Sequence, residues 1–383
     1  MYRIIKIGMD VHSKNFALTV LEPVLGDGER ILFQTNVAAD YHLVLEVIEQ
    51  LKKKLGNNNE LDIECGYEAG CLGYSLYRQL TAAGVKCTIL APTTMLSEKG
   101  KRIKTDVRDS LLIAKCLAYD GYKKVHVPTV EDDAVKEYLR MRNAQKRELK
   151  RLKQQINSLC IRHGYLYSGV KWTLKHLQWL RSIVFASIIL QETLEEYLIT
   201  YEEKISKIER YDKRIEELAA VPQYAKQVKR LICFKGIKTH TALSTIVEIG
   251  DFNRFPTASA FAAYLGLAPG EQSSGEHIRR TGISKAGNSN LRGNFVESAS
   301  AICLGKIGYK SKALKARQAG SASNVIAYAD KAGIRLQRKY QKLIRRGKNR
   351  NTAVIAVARE LACFVWGMMT GHIGLRENDI ASA

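Results

Sequence analysis

Arg3–Pro23 reads RIIKIGMDVHSKNFALTVLEP, and RILFQTNV follows at Arg30–Val37. A β-rich run reaches Asp10, a polar turn follows, and a second β-rich run resumes before the third in RILFQTNV. Three strands before any helix predict a meander. A doubly wound dinucleotide fold begins βαβ with a Gly-rich turn, and GMDVHSKN is no GxGxxG.

Working outward, residues 40–56, DYHLVLEVIEQLKKKLG, have helical periodicity and a stop at Gly56. ELDIECGYEA then reads as a strand, GYSLYRQLTAAG as a helix ending at Gly84, VKCTILAP as a strand, and Thr105–Tyr119 as a helix. The order βββαβαβα predicts an α/β ribonuclease H-like domain over residues 1–128. The character changes at VPTVEDDAVKEYLRMRNAQKRELKRLKQQINSLCIRHG, a long helix starting near Thr129. A second amphipathic helix spans 188–219, so 129–222 reads as a long helical hairpin or coiled coil, with core packing within one chain as the alternative to association with another copy. Residues 223–383 read as mainly α. A helix-hairpin-helix-like element surrounds FKGIKTH, a strongly basic stretch runs from Ala313 to Arg350, and NTAVIAVARELACFVWGMMTG reads as a buried terminal helix.

Sixty basic residues against 38 acidic ones give the 383-residue chain a formal charge of +22, spread over most of its length. Such a surface attracts a polyanion, which favours nucleic acid over a merely solvated charged face. Between Arg140 and Arg162 the imbalance exceeds what salt bridging needs, and the helix reads as one laid along a phosphate backbone. The eight cysteines contain no CxxC pair, and the first residues do not form a signal peptide; reduced cysteines in a cytoplasmic protein are expected. No uninterrupted apolar run reaches the roughly 18 residues of a membrane helix, so no membrane partner is expected. No Cys/His spacing points to zinc.

KTDVRDS, Lys104–Ser110, sets two carboxylates within this basic chain. Asp106 and Asp109 are spaced i,i+3 and share a helix face. In a ribonuclease H-like sheet that face meets the end of the first strand, where Asp10 lies. A further carboxylate is expected from the strand in LDIECGYE. Glu68, where that strand gives way to the helix, is favoured over Glu64, the alternative. Asp10, Glu68, Asp106 and Asp109 would repel one another without cations, and hard oxygen ligands match Mg²⁺ or Mn²⁺. His12 reads equally as a base or a surface hydrogen-bonding group and is not counted with them.

A second constellation is SSGEHIRRTGISKAGN. Ser273, or Ser274 beside it, can act as a nucleophile, with Arg279 and Arg280 compensating charge on a phosphate. There is no GxSxG elbow, which argues against esterase or protease chemistry. The basic positions read as nucleic-acid contacts are Lys104, Arg108, Arg140, Arg142, Lys146, Arg147, Lys150, Arg151, Lys235, Lys238, Arg279, Arg280, Lys285, Arg292, Arg345 and Arg346.

The motifs IGMDVHSKNFALTV, YEAGCLGYSLYRQL, APTTMLSEKGKRIKTDVRDSLLIAK, VPTVEDDAVKEYLRMR and the stretch from VEIGDF through EQSSG to NFVESA come in one order over most of the chain. In them the chain resembles the insertion-sequence transposases that include the Piv and MooV DNA invertases. The resemblance implies a catalytic tetrad of Asp10, Glu68, Asp106 and Asp109, with Ser273 as the nucleophile that joins covalently to DNA. It further implies recombination of donor and target DNA, guidance by a structured non-coding RNA, and dimers that join into a tetramer in a prokaryotic cytoplasm at the nucleoid. The chain departs from the family at FKGIKTH, where relatives commonly carry a Pro-Gly-Ile-Gly turn. The alternatives are a metal-dependent junction nuclease, an invertase without guide RNA, and an inactive nucleic-acid-binding protein.

Overall fold

The computed structural model describes residues 2–24, 28–56, 60–95, 105–271 and 280–374. Lys104, Ser273, Ser274 and Arg279 lie outside the described residues. The chain forms two compact units, Met1–Val127 and Pro128–Ala383.

In the first unit, β1 (Tyr2–Val11), β2 (Asn15–Val24) and β3 (Gly28–Ala38) form the expected meander. Helix α1 (Tyr41–Leu55), β4 (Glu60–Glu68), α2 (Ser75–Ala82), β5 (Lys86–Leu90) and α3 (Asp106–Ala118) follow. The sheet order is β3-β2-β1-β4-β5. The β1–β2 and β2–β3 pairs are antiparallel, while β1–β4 and β4–β5 are parallel. This mixed sheet with flanking helices is the ribonuclease H-like arrangement expected from the element order.

Strand alternation decides the two faces of β1. Ile5, Ile7 and Met9 are fully buried in a cluster with Val44 and Ile48 of α1 and Leu76 and Leu80 of α2. Burying each such side chain stabilises the fold by about 2 kcal/mol. Lys6, Gly8 and Asp10 face the other way, toward α3. There Gly8 pairs across the strands with Gly66. A Cβ on Gly8 would lie 2.1 Å from the Ser110 carbonyl oxygen, and one on Gly66 would lie 2.9 Å from the Leu117 side chain. The two bare glycines let α3 settle onto the sheet two residues short of Asp10 and Glu68.

The first turn of α3 is fixed from both sides. Thr105 caps it, its hydroxyl accepting from the Arg108 N–H. Beneath it, Gln34 Nε2 donates to Thr19 Oγ1 at 2.9 Å, Thr19 and Ser110 hydroxyls meet at 2.8 Å, and Ser110 Oγ donates to the Val107 carbonyl at 3.0 Å. Read in that direction, every hydroxyl in the chain donates once and accepts once, although Thr19 and Ser110 are buried.

The second unit opens with α4 (Val130–Arg162), whose N-cap Thr129 accepts from the Asp132 N–H at 3.1 Å. After α5 (Leu174–Arg181), α6 (Ile188–Ala219) returns antiparallel to it. Arg142 pairs with Asp212 and Lys204 with Glu148, so later residues of one helix meet earlier residues of the other. Its far end has its own core of Leu152, Ile156, Leu180, Leu194 and Tyr201, with Lys153 lying over the rings of Trp172 and Tyr201. At its other end Val135, Leu139, Ile215 and Ala219 enter the core of the remaining helices.

Those elements are α7 (Pro222–Leu231), α8 (Thr239–Ile249), α9 (Ala258–Tyr264), β6 (Pro269–Glu271), β7 (Arg280–Ile283), α10 (Ser289–Ile302), α11 (Lys312–Gln318), α12 (Ser323–Arg345) and α13 (Arg350–Thr370). Helix α13 is long and apolar enough to cross a membrane by composition. It is instead the centre of this core, where Val357, Leu361 and Val365 are fully buried with Phe261, Phe295 and Leu336. The α7–α8 turn contains Gly236 at φ +89°, where a Cβ would lie 2.3 Å from the Ser298 carbonyl oxygen. That glycine is required by packing against α10.

Candidate active site

Asp10, one residue from the end of β1, and Asp106, the first residue of α3, meet at the sheet edge together with His12. His12 Nε2 lies 3.3 Å from Asp10 Oδ2 and 3.8 Å from Asp106 Oδ1. One ligand atom from each of the three lies within 4.8 Å of the others. Asp10 is mostly covered, while Asp106 and His12 are about half exposed, so the group opens to solvent on one side.

Asp10 is held above the ordinary carboxylate range. Burial is the largest cause; His12 opposes it, and the negative charges of Asp109 and Asp106 add to it. A cation here would relieve that repulsion. Two carboxylates and an imidazole suit a small divalent ion, with the nitrogen tolerated better by Mn²⁺ than by Mg²⁺. These residues therefore fit a divalent cation.

The other acidic candidates divide. Asp109 acts on Asp10 electrostatically from the next turn of α3, outside the three-residue group. Met9 pairs with Tyr67, and Asp10 and Glu68 are the next residues along these two parallel strands. Glu68 is exposed there and also lies outside the group. Glu64 is four residues back, about 13 Å along the strand. It accepts from Lys6 Nζ at 2.6 Å and Thr88 Oγ1 at 2.9 Å. Burial pushes Glu64 up, but Lys6 and Thr88 outweigh it and hold the carboxyl below its usual range. Its oxygens are already occupied by neighbours within the sheet.

His12 was not among the acidic candidates. Its signal in the sequence is its position two residues after Asp10, which keeps it on the same side of the chain as the strand runs out.

In the second unit, β6 and β7 form a short antiparallel hairpin whose connection carries Ser273, Ser274 and Arg279, outside the described residues. Backbone hydrogen bonds close the base of that hairpin. Ser284 N–H donates to the Ala268 carbonyl, Lys285 N–H to Gly266 and Asn288 N–H to Tyr264. Arg292 Nη1 donates at 3.1 Å to both the Leu265 and Ala286 carbonyls, one on each side of the hairpin. Lys285 holds φ +56°, a left-handed conformation that is uncommon without glycine and is fixed here by these bonds.

The basic candidates also fall into two sets. Arg140 makes a two-pronged pair with Glu248 at 3.0 Å, and Glu248 also accepts from Asn288 Nδ2, the N-cap residue of α10. Arg142 makes a similar pair with Asp212, and Lys235 Nζ donates to the Leu304 carbonyl. With Arg292, these cations hold the second unit together. Lys146, Arg147, Lys150 and Arg151 on α4, Lys238 before α8, Lys285, Arg345 and Arg346 are exposed, as is Arg108 on α3. Arg280 lies on β7.

Comparison with known proteins finds matches across both units. Residues 7–161 match a family model described as a transposase of the DEDD type, and residues 228–315 match that of the transposase IS116/IS110/IS902 family. A putative transposase, y4qE, of Sinorhizobium fredii is 32% identical over 96% of this chain and 89% of its own length. The transposase for insertion sequence element IS1533 of Leptospira borgpetersenii is 30% identical over 90% of this chain and 97% of its own. The transposase for element IS1111A of Coxiella burnetii is 25% identical over 81% and 79%.

Proposed function

Since this chain belongs to the IS116/IS110/IS902 family of DNA transposases, whose models match both of its units, we propose that it cuts and rejoins DNA through a covalent phosphoserine intermediate. The observation that carries the reading is the Asp10, His12 and Asp106 group at the open edge of a ribonuclease H-like sheet, in a chain whose sequence has two serines between β6 and β7.

In this reading the Ser273 hydroxyl attacks a DNA phosphorus. The Oγ–P bond forms, the bond from phosphorus to a deoxyribose oxygen breaks, and the serine proton ends on that departing oxygen. A DNA hydroxyl from the second strand then attacks the phosphoserine, the Oγ–P bond breaks, and the serine regains a proton. One phosphodiester is exchanged for another, so no external energy source is needed. Ser274 is the adjacent alternative nucleophile.

Asp10 and Asp106, with Glu68 and Asp109 beside them, would hold Mg²⁺ or Mn²⁺, and His12 adds a nitrogen donor. When bound, the cation supplies charge compensation for the phosphate oxygens. Arg108, at the same end of α3, contributes positive charge near the same edge. Guidance by a structured non-coding RNA and assembly of dimers into a tetramer belong to the same proposal, supported by the family resemblance of the motifs.

The decisive experiment is Ser273→Ala with donor and target DNA and Mg²⁺, read by denaturing gel for protein–DNA adducts and joined products. Loss of both, with Ser274→Ala active, is the expected result. Undiminished cleavage by Ser273→Ala would replace this reading with metal-dependent hydrolysis. Sequencing of RNA cross-linked to the purified protein tests the guide.

A further inference from the structure

Helix α12 carries a row of positive charge that the catalytic reading leaves unused. Arg338, Lys342, Arg345 and Arg346 line one side of an open cleft, and Ile307 lines the other. Arg338, Lys342 and Arg345 stand at i, i+4 and i+7, a spacing that keeps them on one face, and Arg346 follows as the C-cap residue, so the row covers about 12 Å. All four are exposed, and among the described residues none forms an ion pair. On the same helix Arg335 and Lys339 are both paired with Glu360 of α13. Arg335 and Lys339 thus serve the core contact, while Arg338, Lys342, Arg345 and Arg346 face water.

The opposite wall is built, not draped. Gln337, buried beneath the segment that follows α10, accepts from the Gly308 N–H at 3.0 Å and donates to the carbonyls of Leu304 and Lys306. Lys310 anchors the end of this segment on Asp330 of α12 at 2.5 Å and on Gln318 at 3.0 Å. Four buried or partly buried polar side chains, Gln337, Lys310, Asp330 and Gln318, therefore tie the segment that carries Ile307 to its neighbouring helices. Both family models end before α12, the second of them at residue 315.

We propose that this cleft is an anchoring site for the phosphate backbone of duplex DNA. Each strand of a duplex carries a charge about every 3.4 Å, so a 12 Å row of cations matches three or four phosphates. The lining's four cations suit phosphate oxygens, contacts that carry no sequence information, and its remaining side chain is apolar. It therefore grips DNA without regard to sequence and adds affinity and register to the site chosen elsewhere. A rigid row of charge on a helix is matched best by the regular charge of a stiff duplex. The inference rests on DNA as the substrate and not on the serine chemistry.

The test uses the full chain with Arg338, Lys342, Arg345 and Arg346 all changed to alanine. Fluorescence anisotropy would follow binding to two duplexes of unrelated sequence, with a single strand and an RNA duplex as separate arms, from 50 to 200 mM salt. The expected result is an equal loss of affinity for both DNA duplexes, at least tenfold at the lower salt, with the salt slope shallower by about 3 to 4. A variant with the three arginines changed to lysine should keep the slope, and unchanged melting of both variants would establish that the fold is intact. An unaltered slope on duplex DNA, a loss confined to one sequence, or a loss seen only with RNA or single strands would overturn the proposal. Ser273→Ala should retain the wild-type slope, so failure of the serine mechanism leaves this test readable.

Discussion

Thr19 of β2 and Ser110 of α3 share a buried hydroxyl contact of 2.8 Å, and through it the sheet holds the helix turn that presents Asp106 and Asp109. Ser110→Ala leaves the Thr19 proton without an acceptor, at a cost of about 1–3 kcal/mol. It should lower the urea midpoint and weaken Mn²⁺ binding measured by calorimetry. Gly8→Ala should do both more severely, because its methyl would meet α3 backbone. Wild-type Mn²⁺ affinity in Ser110→Ala would show that the contact stabilises the fold without placing the acids.

Asp10→Asn should stabilise the protein when divalent ions are removed. The folded-state pKa of Asp10 is raised, so its penalty is absent below the unfolded value and grows as pH rises through the folded one. Near neutral pH in EDTA, the melting temperature of Asp10→Asn should exceed that of the parent. On adding Mg²⁺ the order should reverse, since only the parent gains from binding the ion. Equal gains on adding Mg²⁺ would remove Asp10 from the cation site.

Glu64 and Glu68 should separate stability from activity. Glu64 has a depressed folded-state pKa, so its contribution is present above the unfolded value and is lost as pH falls through the folded one. Glu64→Gln should flatten acid unfolding below about pH 4.5 and leave strand transfer largely intact. Glu68→Gln should leave the melting curve unchanged and reduce strand transfer by a hundredfold or more, on the order of losing a group that holds the metal. The reverse pattern would make Glu64 the functional carboxylate.

His240 should make the second unit sensitive to mild acid. Its Nε2 is buried without a hydrogen-bond partner among the described residues, and burial, aided by the Arg142 and Lys146 charges against the opposing pull of Asp212, lowers its pKa to about 4. Between pH 6.5 and 4 the unfolded chain binds the extra proton, so stability falls as pH falls, by up to about 3 kcal/mol. His240→Phe should remove most of that slope from denaturant titrations across this window. An unchanged slope would assign the acid sensitivity to other groups.

Arg292 should act by position. Its two carbonyl contacts tie both sides of the hairpin that bears the serines. Arg292→Ala should lower the single-turnover rate by roughly a hundredfold, the scale of a misplacement near 1 Å, with DNA affinity and salt slope unchanged. A salt slope reduced by about 1 would instead identify Arg292 as a phosphate contact.

The N-terminal fold was readable because β1 announces its faces: Ile5, Ile7 and Met9 alternate with Lys6, Gly8 and Asp10. The long helices were readable for the same kind of reason, from periodicity and the Thr129 cap. What periodicity cannot carry is a partner that arrives from far along the chain. Arg140 and Arg142 lie in a basic run, yet Glu248 and Asp212 reach them from 108 and 70 residues away. Likewise, Gly236 looks like a ligand-binding turn in sequence, and only the Ser298 carbonyl reveals why no side chain fits. The spacing of Gly8 before Asp10 and Gly66 before Glu68 was a signal in plain view, but its meaning depends on a helix some 50 to 100 residues later, at Ser110 and Leu117.

The three tryptophans are placed as an optical consequence of this architecture. Trp172 and Trp179 sit among the rings at the far end of the α4–α6 hairpin, and Trp366 stacks on His372 within the terminal core. The first unit has none. Emission excited at the indole band therefore follows the second unit alone, while the sheet that carries Asp10 melts in the dark; comparing that signal with far-ultraviolet dichroism would time the two halves separately in one sample.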